Sequence, residues 1–372
     1  MTVATLLPPN GTPLLRALEQ AVAYEPRVSA GVEVIAGVKG RQLPGFLQFL
    51  LWEYGLIELV PHIDNPYTLI TEGRPWQIER DTFAAVARGL GWLNSPATIY
   101  EEPARRRWWN AFQLHLNALP PADTPTLDRI TRVTRLGQPF RSDFRRGVSG
   151  YDGPALEAGF TRLGACRLSD DTGVTIAPGG AKWSFGRQWE AVHELTEAEG
   201  TALGIWLDPP DQEGSVPWSE MHFLWATATF PWASEAGALR QALMAAWFPA
   251  QRVHIALLDG EGEVIGYRRA GANRAVLPAV DGQYTVAGVA YSEADAGQSV
   301  IIRAMTDAGN GVGQTVAAAA IVVNGDLAPG LPPGRLWLEP GQLSGGVTIA
   351  ETSVSIPLRA TVRERITLLL RF

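Results

Sequence analysis

"RLGACRLSDDTGVTIAPGGAKWSFGR", residues 162–187, is where the punctuation of this chain changes. Its short runs are separated by Asp171-Thr172-Gly173 and Pro178-Gly179-Gly180, and they read as strand, turn, strand, turn, strand. Before about residue 140, apolar residues recur at helical spacing. After it, glycine-bounded runs of strand length take over. The fold class that follows is α+β: a helical N-terminal third, a β-hairpin-rich region, and a mixed or β C-terminal half.

Working back, the helical third opens on "LLPPNGTPLLRALEQA", residues 6–21. Thr12 can accept a hydrogen bond from the free N–H groups of the first turn, and Pro13 occupies the position where a missing N–H costs nothing. Leu14, Leu15, Leu18, Ala21 and Val22 then recur at helical spacing, and Pro26 closes the segment. "EPRVSAGVEVIAGVKG", residues 25–40, is poorly patterned and reads as a connector. Helices are expected at 43–54 and at 75–90, with Phe83, Val86, Ala87 and Leu90 in phase. Another is expected at 102–119, "EPARRRWWNAFQLHLNAL", with Trp109, Phe112, Leu116 and Leu119 on one face. The last, at 124–137, has Thr124 as cap, Pro125 at the first position, and Leu127, Ile130 and Val133 facing one way.

Working forward, a helix is expected at 233–247. "RVHIALLDGEGEVIGYR", residues 252–268, reads as a hairpin turning at Asp259 and Gly260. Strands continue through 281–291, 297–305 and 314–325. "DLAPGLPPG", residues 326–334, has the composition of a linker, and residues 354–372 alternate as a pair of strands. The resulting division is 1–138, 139–210, 211–325 and 326–372.

A chain of 372 residues with 46% apolar and 19% charged residues is globular. Its net charge of -7 argues against a general nucleic-acid binder, although nine arginines gather between residues 105 and 146. One cysteine, Cys166, excludes an internal disulfide framework or a cysteine-rich zinc site. The longest apolar stretch, residues 43–52, is about half of what a bilayer span needs and reads as a helix buried on most sides. Residues 1–20 lack the basic start and continuous apolar run of a secretory signal. The expectation is a soluble protein made in a cytoplasm, with no membrane or nucleic-acid partner.

No catalytic constellation emerges. His62, His115, His193, His222 and His254 are not paired at the two-, three- or four-residue spacing that puts two imidazoles on one metal. "GVSGYDG" (147–153) misses a nucleophile elbow by one position, and "GNGVGQ" (309–314) lacks the last glycine of a dinucleotide loop. Asp171-Thr172-Gly173 matches the aspartic-protease signature, but that chemistry needs a second such motif or a symmetric dimer. It reads as a hairpin turn. The expectation is a protein that is not an enzyme, with no cofactor and no metal. A hydrolase would need a carboxylate pair in a cleft.

"RRRWW", residues 105–109, offers residue types that anchor interfaces. Trp109 falls in the apolar stripe of the helix expected there, and the arginines straddle its edge. Thirteen tryptophans are more than small cores accommodate, so a share of them is expected to be buried by partners. The candidate interface residues are Leu14, Leu15, Leu18, Val22, Arg106, Arg107, Trp108 and Trp109.

The opening "LLPPNGTPLLRALEQA" resembles the N-terminal signature of the tail protein I family of contractile-tailed phages. "LPGFLQFLLWEYG" (43–55) is similar to that family's next element, a Leu/Trp helix. "FRSDFRRGVSGYDGPALE" (140–157) and "LSDDTGVTIAPGGAKWSFGR" (168–187) resemble stretches of its longer members. The resemblance covers about residues 1–200. It implies a structural baseplate wedge subunit located in the virion tail and assembled in the host cytoplasm. One copy would bundle its N-terminal helices with two copies of a larger wedge protein, forming the inner ring that transmits the contraction trigger. Tail hub, sheath or fibre proteins are further partners of such a subunit. The alternative is a tail-associated binding module for a receptor, fibre or glycan.

Overall fold

A computed structural model of the chain describes residues 7–22, 25–37, 44–101, 109–153, 155–156, 170–206, 235–332 and 335–372. The fold is α+β, with helices mostly in the N-terminal part and strands in the C-terminal half. The chain forms two compact units. The first comprises Met1–Pro96 and Asp128–Phe144, the second Ala97–Leu127 and Arg145–Phe372. The boundaries expected at 210 and 325 therefore fall inside one unit.

The first unit is helical: α1 (Pro13–Val22), α2 (Glu25–Gly37), α3 (Leu47–Glu53), α4 (Thr68–Glu79), α5 (Phe83–Trp92) and most of α6 (Thr126–Gly137). The connector expected at 25–40 is instead largely α2. Pro26 does not close a helix but sits in the first turn of one, where its missing N–H leaves no carbonyl unpaired. The single helix expected at 75–90 is two. Asp81 takes a positive φ of 65°, and Thr82 then caps α5 by accepting from the Ala85 N–H at 3.4 Å.

The core of this unit gathers Leu51, Leu56, Leu59, Leu69, Trp76, Ala85 and Val133. The buried Trp76 indole donates to the Ala85 carbonyl at 3.1 Å, satisfying its one polar atom. A Cβ on Gly89 would lie 2.5 Å from Val133 Cγ1, so the α5–α6 approach requires glycine there. Leu127, Ile130 and Val133 are all buried, as their spacing implies.

In the second unit the strands are β1 (Ala97–Glu101), β2 (Ala111–Leu116), most of β3 (Asp143–Ser149), β4 (Val174–Thr175) and β5 (Lys182–Glu194). Helices α7 (Glu197–Ala202) and α8 (Glu235–Trp247) follow. Then come β6 (Val253–Leu258), β7 (Val264–Ala272), β8 (Val276–Pro278), β9 (Tyr284–Val286), β10 (Val289–Glu293), β11 (Ser299–Met305) and β12 (Thr315–Val323). The last strands are β13 (Asp326–Leu327), β14 (Trp337–Leu338), β15 (Leu343–Ser344), β16 (Val347–Pro357) and β17 (Val362–Arg371).

One sheet runs in the order β1-β2-β3-β5-β17-β11-β7-β6-β12-β16. It curls so that β16 comes against β5. The enclosed core includes Ile255, Val300, Ile302, Ile321, Ile349, Ile366 and Leu368, with Met244 and Phe248 entering from α8 and the turn after it.

Three sequence expectations are corrected in this unit. The helix expected across 102–119 is, in its described part, strand β2. Its alternate residues Phe112, Leu114 and Leu116 are buried, and it pairs antiparallel with β1. The period of two outcompetes the helical spacing of Trp109, Phe112, Leu116 and Leu119. The stretch 326–334 is not a free linker, because β13 pairs with β15 and Leu327 and Leu331 pack on a buried cluster around Leu338 and Leu343.

The two final strands form but do not pair with each other. β16 joins β12, while β17 lies between β11 and, in parallel, β5. The strand expected before Asp171-Thr172-Gly173 lies outside the described residues. Asp171 and Thr172 lead into β4 with their side chains buried, and the turn expected at Pro178-Gly179-Gly180 is at Pro178 and Gly179. Elsewhere local chemistry decides. Asp259 Oδ1 accepts from the N–H groups of Glu261 and Glu263, both at 2.9 Å, closing the β6–β7 turn.

Candidate partner-binding surface

The start of α1 is built as its residues dictate. Gly11 N–H donates to the Pro8 carbonyl at 2.9 Å, and Leu15 N–H donates to Thr12 Oγ1 at 3.4 Å. Arg16 Nη2 reaches back to the Pro9 carbonyl at 2.7 Å. Yet α1 buries none of its residues. Leu14 is 78% exposed and Leu18 59%, with Leu15 and Val22 also open to solvent. A helix of ten residues is marginal in water by itself, and a cap contributes only about 1 kcal/mol. Covering these four side chains would contribute about 1.5–3 kcal/mol each, before the ordering cost.

The uncovered apolar surface extends beyond α1. On α2, Val28, Val32 and Ile35 are exposed. Around α3, Phe46, Phe49 and Trp52 recur every three residues on the outside, Trp52 at 73% exposure, while Leu50 and Leu51 face in. This aromatic stripe escaped the sequence reading, which took residues 43–52 as buried on most sides. The spacing of 46, 49 and 52 against 47, 50 and 51 is the signal that separates the two faces.

Of the basic aromatic cluster, Arg106, Arg107 and Trp108 lie outside the described residues. Trp109 is exposed just ahead of β2 and belongs to the second unit, whereas Leu14, Leu15, Leu18 and Val22 belong to the first.

The polar residues that the sequence left scattered gather in the second unit. Asp152 accepts from Arg146 Nη2 at 2.9 and 3.0 Å, from Thr172 Oγ1 at 2.7 Å and from Ser184 Oγ at 2.8 Å. Arg146, almost wholly enclosed, also donates to the Thr172 carbonyl at 2.9 Å. Burial alone would raise the Asp152 carboxyl, but the Arg146 charge and the three donor side chains outweigh it and hold it below its ordinary value. Asp171 is likewise enclosed, accepting from Ala155 N–H at 2.7 Å and from Arg145. Ser184 Oγ is buried and committed to Asp152, Thr172 and Arg363. The arrangement ties β3, β5 and β17 together, and most of its groups are spent on one another, Arg146 Nε and Arg363 Nε being buried with no partner among the described residues.

Among the described residues no three His, Cys, Asp or Glu side chains come together as a metal would need, and no helix is long and apolar enough to cross a membrane. His222 lies outside the described residues. His254, on β6, is buried with neither ring nitrogen hydrogen-bonded among the described residues. Burial, then the charges of Arg269 and Arg252, push its pKa down to about 4.

A histidine held neutral this way stabilises the fold fully above its unfolded pKa of about 6.5. The stability is lost as pH falls from there toward 4, because the unfolded chain takes up the proton first. The loss is expected to reach up to about 3 kcal/mol. Denaturant unfolding of the His254→Leu chain is expected to lack this slope between pH 6.5 and 4. An unchanged slope would assign it to other groups.

Comparison of the chain with protein-family models and with curated proteins returns no match.

Proposed function

We propose that this chain is a structural, non-catalytic wedge subunit of a contractile phage tail baseplate. Its N-terminal helices bundle with two copies of a larger wedge protein, and the assembled ring passes on the contraction trigger. The observation that carries this reading is the uncovered apolar face of α1, a capped helix with no buried residue. A heterologous bundle supplies from other chains the core that such a helix lacks. The family-like stretches and the exposed Trp52 and Trp109 support the same reading. Co-expression with the larger wedge protein of the same tail tests it. A complex of one copy with two is expected, and two proteins that purify apart would refute it.

The basic aromatic segment is a second contact in this proposal. Arg106→Glu combined with Arg107→Glu is expected to leave the melting of the isolated chain unchanged and to reduce baseplate assembly. The loss is expected to be clearest at high salt, where the remaining charged contacts are screened. Normal baseplates from the double variant would reduce the segment to a solvated surface.

A further inference from the structure

A cleft of about 420 Å³ opens in the second unit where the ends of β5 and β17 meet the start of β11 and helix α8. That volume lies within the range of roughly 300–1,000 Å³ usual for small-molecule sites. Its polar lining is Glu194, Gln241, Tyr291, Gln298, Ser299 and Arg371. The floor is held in register by the sheet. Ser299 lies opposite Arg371 on one side and Val276 on the other, Leu195 N–H donates to the Arg371 carbonyl at 2.8 Å, and Phe372 N–H donates to Gln298 at 3.2 Å.

Two groups at this floor keep hydrogen-bonding capacity that no described residue uses. Arg371 Nη2 donates to the Tyr291 hydroxyl at 3.3 Å, and its guanidinium makes no ion pair among the described residues. Tyr291 is 1% exposed, and its hydroxyl accepts from Arg371 while giving its own proton to no acceptor among the described residues.

We infer that this cleft binds an acidic sugar, of the uronic acid class. A guanidinium beside a free phenolic proton suits a carboxylate, which takes charge-assisted hydrogen bonds from both. The amides of Gln241 and Gln298, the Ser299 hydroxyl and the Glu194 carboxylate offer donors and acceptors side by side. Sugar hydroxyls, which do both, are the groups that satisfy such a set. Leu277 and the Phe372 ring supply the apolar wall against which the C–H face of a sugar ring packs. Because the sheet carries Glu194, Tyr291, Ser299 and Arg371, the site is preorganised. The inference is independent of the wedge role.

Titration calorimetry of the full chain with D-glucuronate, D-glucose and acetate tests it. Glucuronate is expected to bind about tenfold or more tightly than either glucose, which lacks the charge, or acetate, which lacks the ring hydroxyls. Arg371→Gln is expected to weaken glucuronate binding about tenfold without lowering the melting temperature, and Arg371→Lys to weaken it less. Should Arg371→Gln fold poorly, Gln241→Ala on α8 gives the same comparison from the other wall. Equal binding of acetate would leave a bare anion site. No glucuronate binding at concentrations on the order of 10 mM, or binding untouched by Arg371→Gln in a folded chain, would overturn the inference.

Discussion

Leu18→Asp is expected to leave the melting of the purified chain nearly unchanged while abolishing its complex with the larger wedge protein. Leu18 is 59% exposed on a helix that buries nothing, so in the free chain a carboxylate there stays hydrated. Surface changes of this kind usually alter stability by no more than about 0.5 kcal/mol. Inside a shared bundle the same carboxylate must lose its charge or break the packing, at a cost of several kcal/mol. Thermal unfolding of the free variant and a pull-down with the wedge protein separate the two environments. A variant that unfolds many degrees earlier would place α1 in its own core, and the interface account would fall.

Asp152→Ala is expected to act in the opposite way, destabilising the chain itself. It would take from Arg146, which is 2% exposed, its hydrogen-bonded carboxylate, leaving only Asp171 at 4.0 Å, and would take the Asp152 acceptor from Thr172 and Ser184. Removing one partner of a buried ion pair costs about 3–5 kcal/mol, a drop in melting temperature on the order of 10 °C for a unit of this size. Asp152→Asn is expected to cost less, since an amide oxygen still accepts from the two hydroxyls. If Asp152→Ala melts with the unchanged chain, the cluster is not what holds β3, β5 and β17 together.

The first of those predictions rests on what the sequence makes legible, the second on what it does not. The Thr12–Pro13 helix start, the Leu127, Ile130 and Val133 face of α6 and the Asp259 turn were readable because neighbouring residues decide them. The division into a helical first third and a strand-rich remainder was readable for the same reason. Where two periods overlapped, the reading failed: Phe112 and Leu116 fit both a helix face and a strand face, and Leu114 broke the tie only through burial. Residues 25–37 hid a helix because their apolar side chains form no single stripe.

Non-local pairing was out of reach. Nothing near β17 in the sequence says that it aligns with β5, where Val362 lies opposite Phe185. The Asp152 cluster and the Arg371 cleft are assembled from residues scattered along the chain, and only that pairing brings them together. That Leu14 and Leu18 serve partner chains is an expectation of the family resemblance and of a capped apolar helix placed ahead of the poorly patterned residues 25–40.

Backbone amide hydrogen exchange across α1, measured in the free chain and in the assembled baseplate, tests that expectation most directly. The account predicts fast exchange from Leu15 to Val22 in the free chain, as befits a ten-residue helix with no buried side chain, and strong protection after assembly. Strong protection already present in the free chain, or exchange equally fast in the baseplate, would contradict it.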